Sequence, residues 1–357
     1  MLIEKLLAQA DIRLDGKRAW DLKVNDQQAF QRTIFGGILG IGESYMDGQW
    51  DCQSIDQLVY RAYKANLAKS LYKHPTWLIH AGLGYLLNTG SRWYAKRLAK
   101  EHYDLGNDLF QAMLDHRLVY TCGYWRGVKS LNEAQEQKLD LICQKLKLKP
   151  KMRVLDIGGG WGSFAKYAAR KYGVSVVNIT VSKEQVKLAN ELCEGLPVEN
   201  RLADYRDVNE KFDAVVSIEM FEAVGWKNYR HYMDVVHRCL PEGGLFVFQT
   251  IGGNFSTTHT NPWIDKYIFP GGMLPSLEQL DRATQGLFIE EGLENFGTDY
   301  DKTLMAWWDN FDRNWPKLKS KYGGRFYRMW KLYLQGCAGS FRARNLQLWQ
   351  ITYSKAK

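Results

Sequence analysis

Several features are missing from this sequence, and each absence removes a class. No apolar run approaches the roughly 18–20 residues that a membrane-spanning helix needs. The most apolar stretch, Trp77 to Leu87, is interrupted by His80, Gly82 and Gly84. The start, Met1 to Ala10, carries Glu4 and Lys5 and has no signal-peptide core, so export is not expected. The cysteines, at 52, 122, 143, 193, 239 and 337, form no CxxC pair, which excludes that zinc or redox motif. A reduced, cytosolic protein is the simplest reading. Hydrophobic residues at 45% and charged residues at 24% exclude a disordered chain, a collagen-like chain and a coiled coil. The 357 residues suit one large domain with a smaller one.

Acidic residues are absent altogether from Gln57 to Lys100. That stretch carries Arg61, Lys64, Lys69, Lys73, Arg92, Lys96, Arg97 and Lys100, interleaved with Tyr60, Tyr63, Tyr72, Trp77, Tyr85, Trp93 and Tyr94. The net charge of +9 points the same way. It suggests an anionic partner, nucleic acid or an anionic membrane surface, or else only a basic exterior. Basic residues attract phosphate headgroups, and amphipathic aromatics suit the headgroup level.

The chain changes texture along its length. Residues 1 to about 90 are short amphipathic pieces with glycine breaks, such as Gly36-Gly37 and Gly40-Ile41-Gly42. The basic stretch, with His74-Pro75 and Asn88-Thr89-Gly90, reads as a linker zone. Beyond it, apolar strand-like runs alternate with helical patterns. Helices are expected over Leu131 to Leu148, Ser163 to Tyr172 and Ser182 to Cys193, the last capped by Ser182. Strands are expected over Met152 to Ile157, Val174 to Ile179, Phe212 to Ile218, Leu245 to Ile251 and Leu346 to Ser354. This alternation implies a doubly wound α/β fold around a mostly parallel sheet. Lys138, Lys145 and Lys147 read as a solvated helix face.

The strongest motif is Asp156-Ile157-Gly158-Gly159-Gly160-Trp161-Gly162, where a strand runs through a glycine turn into a helix. Glycines let the backbone approach a ligand that side chains would hold off. A P-loop needs a lysine that this turn lacks, and the GxGxxG spacing of a dinucleotide site does not fit. The pattern DxGxGxG resembles the class I S-adenosylmethionine methyltransferases. Their second strand usually ends in an acid for the ribose. Here it ends Asn178-Ile179-Thr180-Val181-Ser182-Lys183-Glu184-Gln185, so Thr180 and Gln185 are the candidates for those hydrogen bonds.

One family shares that departure. Glu101-His102-Tyr103-Asp104-Leu105-Gly106-Asn107-Asp108-Leu109-Phe110 and Tyr120-Thr121-Cys122-Gly123-Tyr124-Trp125 closely resemble signatures of the cyclopropane fatty acid synthases and mycolic acid cyclopropane synthases. So do Asp204-Tyr205-Arg206-Asp207, Met220-Phe221-Glu222, Asp265-Lys266-Tyr267-Ile268-Phe269-Pro270, Asp299-Tyr300-Asp301 and Cys337-Ala338-Gly339-Ser340-Phe341-Arg342. Tyr45-Met46-Asp47-Gly48-Gln49-Trp50 resembles the N-terminal domain of the phospholipid-acting branch. The resemblance spans nearly the whole chain. It implies a helical lipid-engaging domain over 1–90 and a class I methyltransferase domain over 91–357.

It further implies that a methylene passes from S-adenosylmethionine to the cis double bond of an acyl chain in an anionic membrane phospholipid. Tyr103, Tyr120, Thr121, Asp156, Gly158, Gly160, Gly162, Thr180, Gln185, Asp204, Tyr205 and Arg206 would surround the cofactor. No metal is implied. A base must remove a proton from the transferred methyl. In the family this is thought to be bound bicarbonate, whose holders fall here on Cys122, Glu222, Gln249, Ile251 and Tyr300. Cys337 resembles a reactive family cysteine, although the chemistry leaves it no obvious task. Peripheral membrane attachment from the cytosol and a homodimer are also expected.

Three departures bear on the outcome. The family's His-Thr-Ile is Gln249-Thr250-Ile251, its Phe-Glu-His-Val-Gly is Phe221-Glu222-Ala223-Val224-Gly225, and its Ile-Gly-Cys-Gly is Ile157-Gly158-Gly159-Gly160. Glutamine donates a hydrogen bond but carries no positive charge. Two products stay open: a ring, or a methyl-branched or methylene chain. A nucleic-acid methyltransferase would also explain the charge. Its Asn/Asp-Pro-Pro-Tyr/Phe cluster is replaced here by Glu219-Met220-Phe221-Glu222, so no nucleic acid is expected. A non-catalytic lipid-binding relative is the remaining rival, against which the intact glycine turn and Glu222 stand.

Overall fold

The computed structural model describes residues 2–67, 75–88, 90–92 and 106–357. Tyr103, the first five residues of the Glu101–Phe110 motif and much of the basic stretch (Lys69, Tyr72, Lys73, Trp93, Tyr94, Lys96, Arg97, Lys100) lie outside the described residues.

The sheet forms where the apolar runs lie. Its strands are β3 (Arg153–Ile157), β4 (Ser175–Thr180), β5 (Val198–Leu202), β6 (Ala214–Ile218), β7 (Leu245–Gly253), β8 (Phe288–Asn295) and β9 (Leu346–Lys355). Their order is β5-β4-β3-β6-β7-β9-β8. Pairings from β5 through β7 are parallel, whereas β9 runs antiparallel between β7 and β8. The mostly parallel doubly wound fold is therefore present. Alternate residues pack on opposite faces: Leu155, Val177, Val215 and Phe246 on one, Val154, Val176, Ala214 and Val247 on the other. Full burial of one such side chain is worth roughly 1.5–3 kcal/mol.

The edge strands β5 and β8 carry no apolar run. Val198-Glu199-Asn200-Arg201-Leu202 is partly exposed throughout, and most of Phe288–Asn295 faces solvent. An edge strand covered on one face needs no continuous apolar run, so neither was legible in the sequence. The expected helices appear at Leu131–Lys145, Ser163–Tyr172 and Lys183–Leu192. Ser130 and Glu133 form a reciprocal cap on the first, and Ser182 accepts from the Gln185 amide on the last.

Two other expectations are corrected. The linker zone contains a helix, Pro75–Leu86, with proline at its first position, where a missing N–H costs nothing. Lys138 is fully buried, because it falls on the same helix face as Leu131, Leu139 and Ile142. Lys145 is half-buried and bonded to Gln350 at 2.6 Å, and only Lys147 is solvated.

The N-terminal segment contains a two-residue pair, β1 (Lys23–Val24) with β2 (Trp50–Asp51), and helices Leu2–Gln9, Gln28–Met46 and Ile55–Lys64. It packs on the last half of a long helix, Gly297–Arg342, which breaks at Gly323 (φ 76°, ψ 164°). Gln335 accepts from the Ile55 amide at 2.9 Å, and Arg342 bridges Asp56 and Asp301. Gly339 allows the close approach: a Cβ there would lie 2.3 Å from the Asp56 carbonyl oxygen. Gly339→Ala is therefore expected to destabilise the protein by about 1–3 kcal/mol through overpacking. Urea unfolding checks this, and an unchanged midpoint would contradict the packing.

Candidate active site

Strand order reverses between β3 and β6, since the chain goes from β3 out to β5 and returns on the other side. Open α/β sheets bind ligands in the crevice beyond the carboxyl ends at such a point. The glycine turn follows β3 on one side, and Glu219 to Glu222 follow β6 on the other.

The turn is built for close approach. Gly158 and Gly160 hold φ of 78° and 59°, which L side chains disfavour. A Cβ on Gly158 would strike Met220 at 2.3 Å, whereas one on Gly160 would project into open space toward Gln185. Asp156, next to last in β3, is fully buried, with both carboxylate oxygens lacking a partner among the described residues. Burial pushes its carboxyl up to about 7, opposed only by the Lys138 charge. An unpartnered buried carboxyl beside a glycine cradle fits a ligand that brings a cation. Thr180 donates to Gln185 at 2.6 Å, and Arg206 pairs with Asp204 at 2.9 Å.

Across the crevice, two carboxyls gather the expected base-holding groups. Glu219 follows β6 with a φ of 52°. Its Oε1 accepts from the Cys122 amide at 2.9 Å and from Gln249 Nε2 at 2.7 Å. Its Oε2 accepts from the Tyr300 hydroxyl at 2.5 Å. Glu222 Oε1 accepts from the Ile251 amide at 2.5 Å and the Thr250 hydroxyl at 3.0 Å. Burial, then the Glu219 charge, pushes Glu222 up to about 8. Burial also raises Glu219, opposed chiefly by the Tyr300, Cys122 and Gln249 hydrogen bonds. The Tyr300 phenol is held far above its usual value by burial and by Glu219, so it donates.

One cavity of about 1350 Å³ joins these parts. Tyr120, Thr121, Asp156, Gly158, Gly160, Thr180, Gln185, Asp204, Tyr205, Arg206, Glu222, Ile251, Tyr300 and Cys337 all line it. Gly162, Cys122 and Gln249 are not in its wall. Cys122 reaches the cluster through its main-chain amide, while its thiol points at the Gly123 carbonyl and Thr303. Burial holds that thiol protonated, and pushes the Cys337 thiol up to about 12. No hydrogen bond joins Cys337 to either carboxyl among the described residues. Trp307 and Trp308 are core.

Two cavity residues escaped the sequence reading. Glu219 carried a signal, because it stands at a strand end in an α/β fold. Lys138 carried one too, its place on the buried helix stripe. Burial lowers Lys138 to about 8, and its ammonium donates to the Thr121 hydroxyl at 2.6 Å.

Comparison with known proteins adds an independent line. The family model described as mycolic acid cyclopropane synthetase matches residues 92–351. Cyclopropane-fatty-acyl-phospholipid synthase of Escherichia coli (strain K12) is 47% identical over 354 residues, covering 99% of this chain and 93% of that protein. Tuberculostearic acid methyltransferase UfaA1 of Mycobacterium tuberculosis is 33% identical, covering 94% and 83%. Among solved structures, mycolic acid cyclopropane synthase CmaA1 complexed with SAH and CTAB superposes with a TM-score of 0.69 at 31% identity, covering 73% of this chain and 98% of that one.

The placement of Cys122 makes a prediction. Cys122→Ala keeps the main-chain N–H and leaves only a small cavity, a cost of about 1 kcal/mol. Turnover should stay within about tenfold of the parent, a factor worth 1.4 kcal/mol. A nucleophilic thiol would instead make the variant inactive.

Proposed function

Since this chain belongs to the mycolic acid cyclopropane synthetase family, we propose that it builds a cyclopropane ring on the cis double bond of an unsaturated acyl chain in an anionic membrane phospholipid. The observation that carries this is the single cavity joining the glycine turn, the two carboxyls and the N-terminal helices. Leu6, Leu7, Ile12, Phe30 and Ile38 of the N-terminal segment share that cavity with Gly158 and Glu219. An apolar passage of this kind accepts an acyl chain and excludes water.

S-adenosylmethionine supplies an electrophilic methyl when bound. Asp156 would hold its ammonium, Thr180 and Gln185 its ribose, and the Asp204-Tyr205-Arg206 segment its adenosine. The glycine turn permits the backbone to touch it. An alkene is a weak nucleophile, so positioning dominates the rate. Tyr120 and Tyr300 line the cavity, and their faces would stabilise positive charge developing on the acyl chain. Cys337 would be a wall residue.

Lipid engagement would fall to residues 1–90. No helix among the described residues is long and apolar enough to cross a membrane. Apolar side chains are nevertheless exposed along Pro75–Leu86 and beside it: Leu78, Ile79, Leu83, Leu86 and, on another helix, Phe35. A patch of this kind suits shallow insertion at the inner face of the cytoplasmic membrane. The basic residues contribute less than their number suggests. Arg61 pairs with Asp11, and Arg92 with Asp207. Two copies acting together would strengthen such a weak hold, and we propose a homodimer. Gln249 and Ala223 favour one second reading, a methyl-branched or methylene product.

Two measurements test this. Purified protein with S-adenosylmethionine and vesicles of an anionic monounsaturated phospholipid should yield acyl chains bearing one added CH₂ unit that resist catalytic hydrogenation as rings do. A hydrogenatable product would instead establish the methylene or methyl-branched reading, in which proton loss leaves a double bond. Separately, S-adenosylhomocysteine binding is expected to strengthen about tenfold from pH 6 to 8, because the ligand's ammonium requires Asp156 ionised. Calorimetry on the parent and on Asp156→Asn decides it: the variant should lose the slope, and a parental slope in the variant would assign it elsewhere.

A further inference from the structure

The proposed reaction needs a base for one methyl proton, and any assignment of that base rests on the reaction being the one proposed. The resemblance implies bicarbonate among Cys122, Glu222, Gln249, Ile251 and Tyr300. These residues do not fit that ion here. The Cys122 amide, Gln249 and Tyr300 already donate to Glu219, and the Ile251 amide already donates to Glu222. A further anion would meet the Glu219 carboxylate where it needs free donors, and like charges at such range repel.

We infer that the Glu219 carboxylate is itself the base, standing where bicarbonate was expected, so that the reaction runs without that ion.

The geometry supports an ionised, aimed carboxylate. Glu219 lines the cavity together with Gly158, Met220 and Tyr300. All three groups bonded to it are donors, as an acceptor-only carboxylate requires. Gln249 has no freedom to turn its oxygen inward. Gln350 Nε2 donates to Gln249 Oε1 at 2.9 Å, which leaves the Gln249 amide nitrogen facing Glu219. Lys145 in turn donates to Gln350 Oε1 at 2.6 Å, so the amide of Gln350 is oriented too. A neutral glutamine at 249 suffices where the negative charge belongs to the chain and no free anion must be captured. Oε2 takes one hydrogen bond and keeps a lone pair for the methyl proton.

The step balances. The alkene π pair forms a bond to the methyl carbon as the carbon–sulfur bond breaks, its pair remaining on sulfur. The adjacent acyl carbon becomes cationic. Glu219 Oε2 takes one methyl proton, and the released C–H pair closes the ring. A sulfonium and a carboxylate are thereby exchanged for a thioether and a carboxylic acid. The proton passes to water when product leaves.

The test uses the full-length protein, argon-sparged buffer freed of bicarbonate, and vesicles of anionic monounsaturated phospholipid. The parent should form product at the same rate with and without added bicarbonate, and should retain no radiolabelled bicarbonate on equilibrium dialysis. Glu219→Gln should lose about 10²-fold or more in kcat, the range of a lost general base, with S-adenosylhomocysteine binding unchanged. Glu219→Gly suits the positive φ and frees all three donors. It should be inactive alone, retain the label, and regain turnover as bicarbonate is added. Product from the parent that depends on bicarbonate overturns the assignment, as does label retained by the parent or an active Glu219→Gln. If Glu219→Gln fails to bind S-adenosylhomocysteine, the parent's bicarbonate dependence still decides. No product from the parent under either condition overturns the reaction itself and this assignment with it.

Discussion

A carboxylate withdrawn from water must be met by donors, and that demand at Glu219 organises the centre of this protein. Three separated segments answer it: the Tyr120–Gly123 loop through a main-chain amide, β7 through Gln249, and the long helix through Tyr300. Behind Gln249 stand Gln350 on β9 and Lys145 on a helix, each fixing the orientation of the next. A network of this kind is strong only when complete, because the low local dielectric that strengthens each bond also penalises a missing one. Its completeness joins the antiparallel half of the sheet to the crevice of the parallel half.

The neighbouring carboxyl works under the opposite condition. Glu222 has two donors and one oxygen without a partner among the described residues, and the Glu219 charge beside it favours its protonated form. Burial raises both acids, but three hydrogen-bond donors oppose it at Glu219 while the Glu219 charge adds to it at Glu222, so their surroundings separate the two, the general route by which a site divides acid and base roles. Asp156 across the crevice is a third case. It is buried and, among the described residues, unpartnered, so a cationic ligand would favour its ionised form. The proposed charge balance of the reaction comes from this arrangement: positive charge enters with the cofactor, and the chain supplies the negative charge that meets it.

The N-terminal segment is tied into the same structure. Gly339 lets the helix at Ile55–Lys64 approach the long helix, and Arg342 closes the contact with Asp56 and Asp301. The motif Asp299-Tyr300-Asp301 therefore serves two neighbourhoods at once. Tyr300 faces Glu219, Asp301 anchors Arg342, and Asp299 accepts from the Trp125 amide. A residue pattern that reads as one site motif is a junction between the N-terminal segment and the crevice.

The sequence by itself determined the central parallel strands, the glycine turn, the helix starting at Ser163 and the capped helices at Ser130 and Ser182. Each is written locally, in apolar runs, in a glycine spacing or in a capping residue beside its amide. Resemblance drew Cys122, Glu222, Gln249, Ile251 and Tyr300 together before any coordinate did. Tertiary structure alone decided what those groups bind. The edge strands β5 and β8 lack two-sided burial and so left no apolar mark. Lys138 became a buried cation only once its helix face met the crevice. Glu219 became an acceptor only when a loop, a strand and a helix converged on it, with Cys122 97 residues away and Tyr300 81 residues away. Hydrogen-bond partners of that separation have no local signature, because nothing in either neighbourhood specifies the other until the chain has folded.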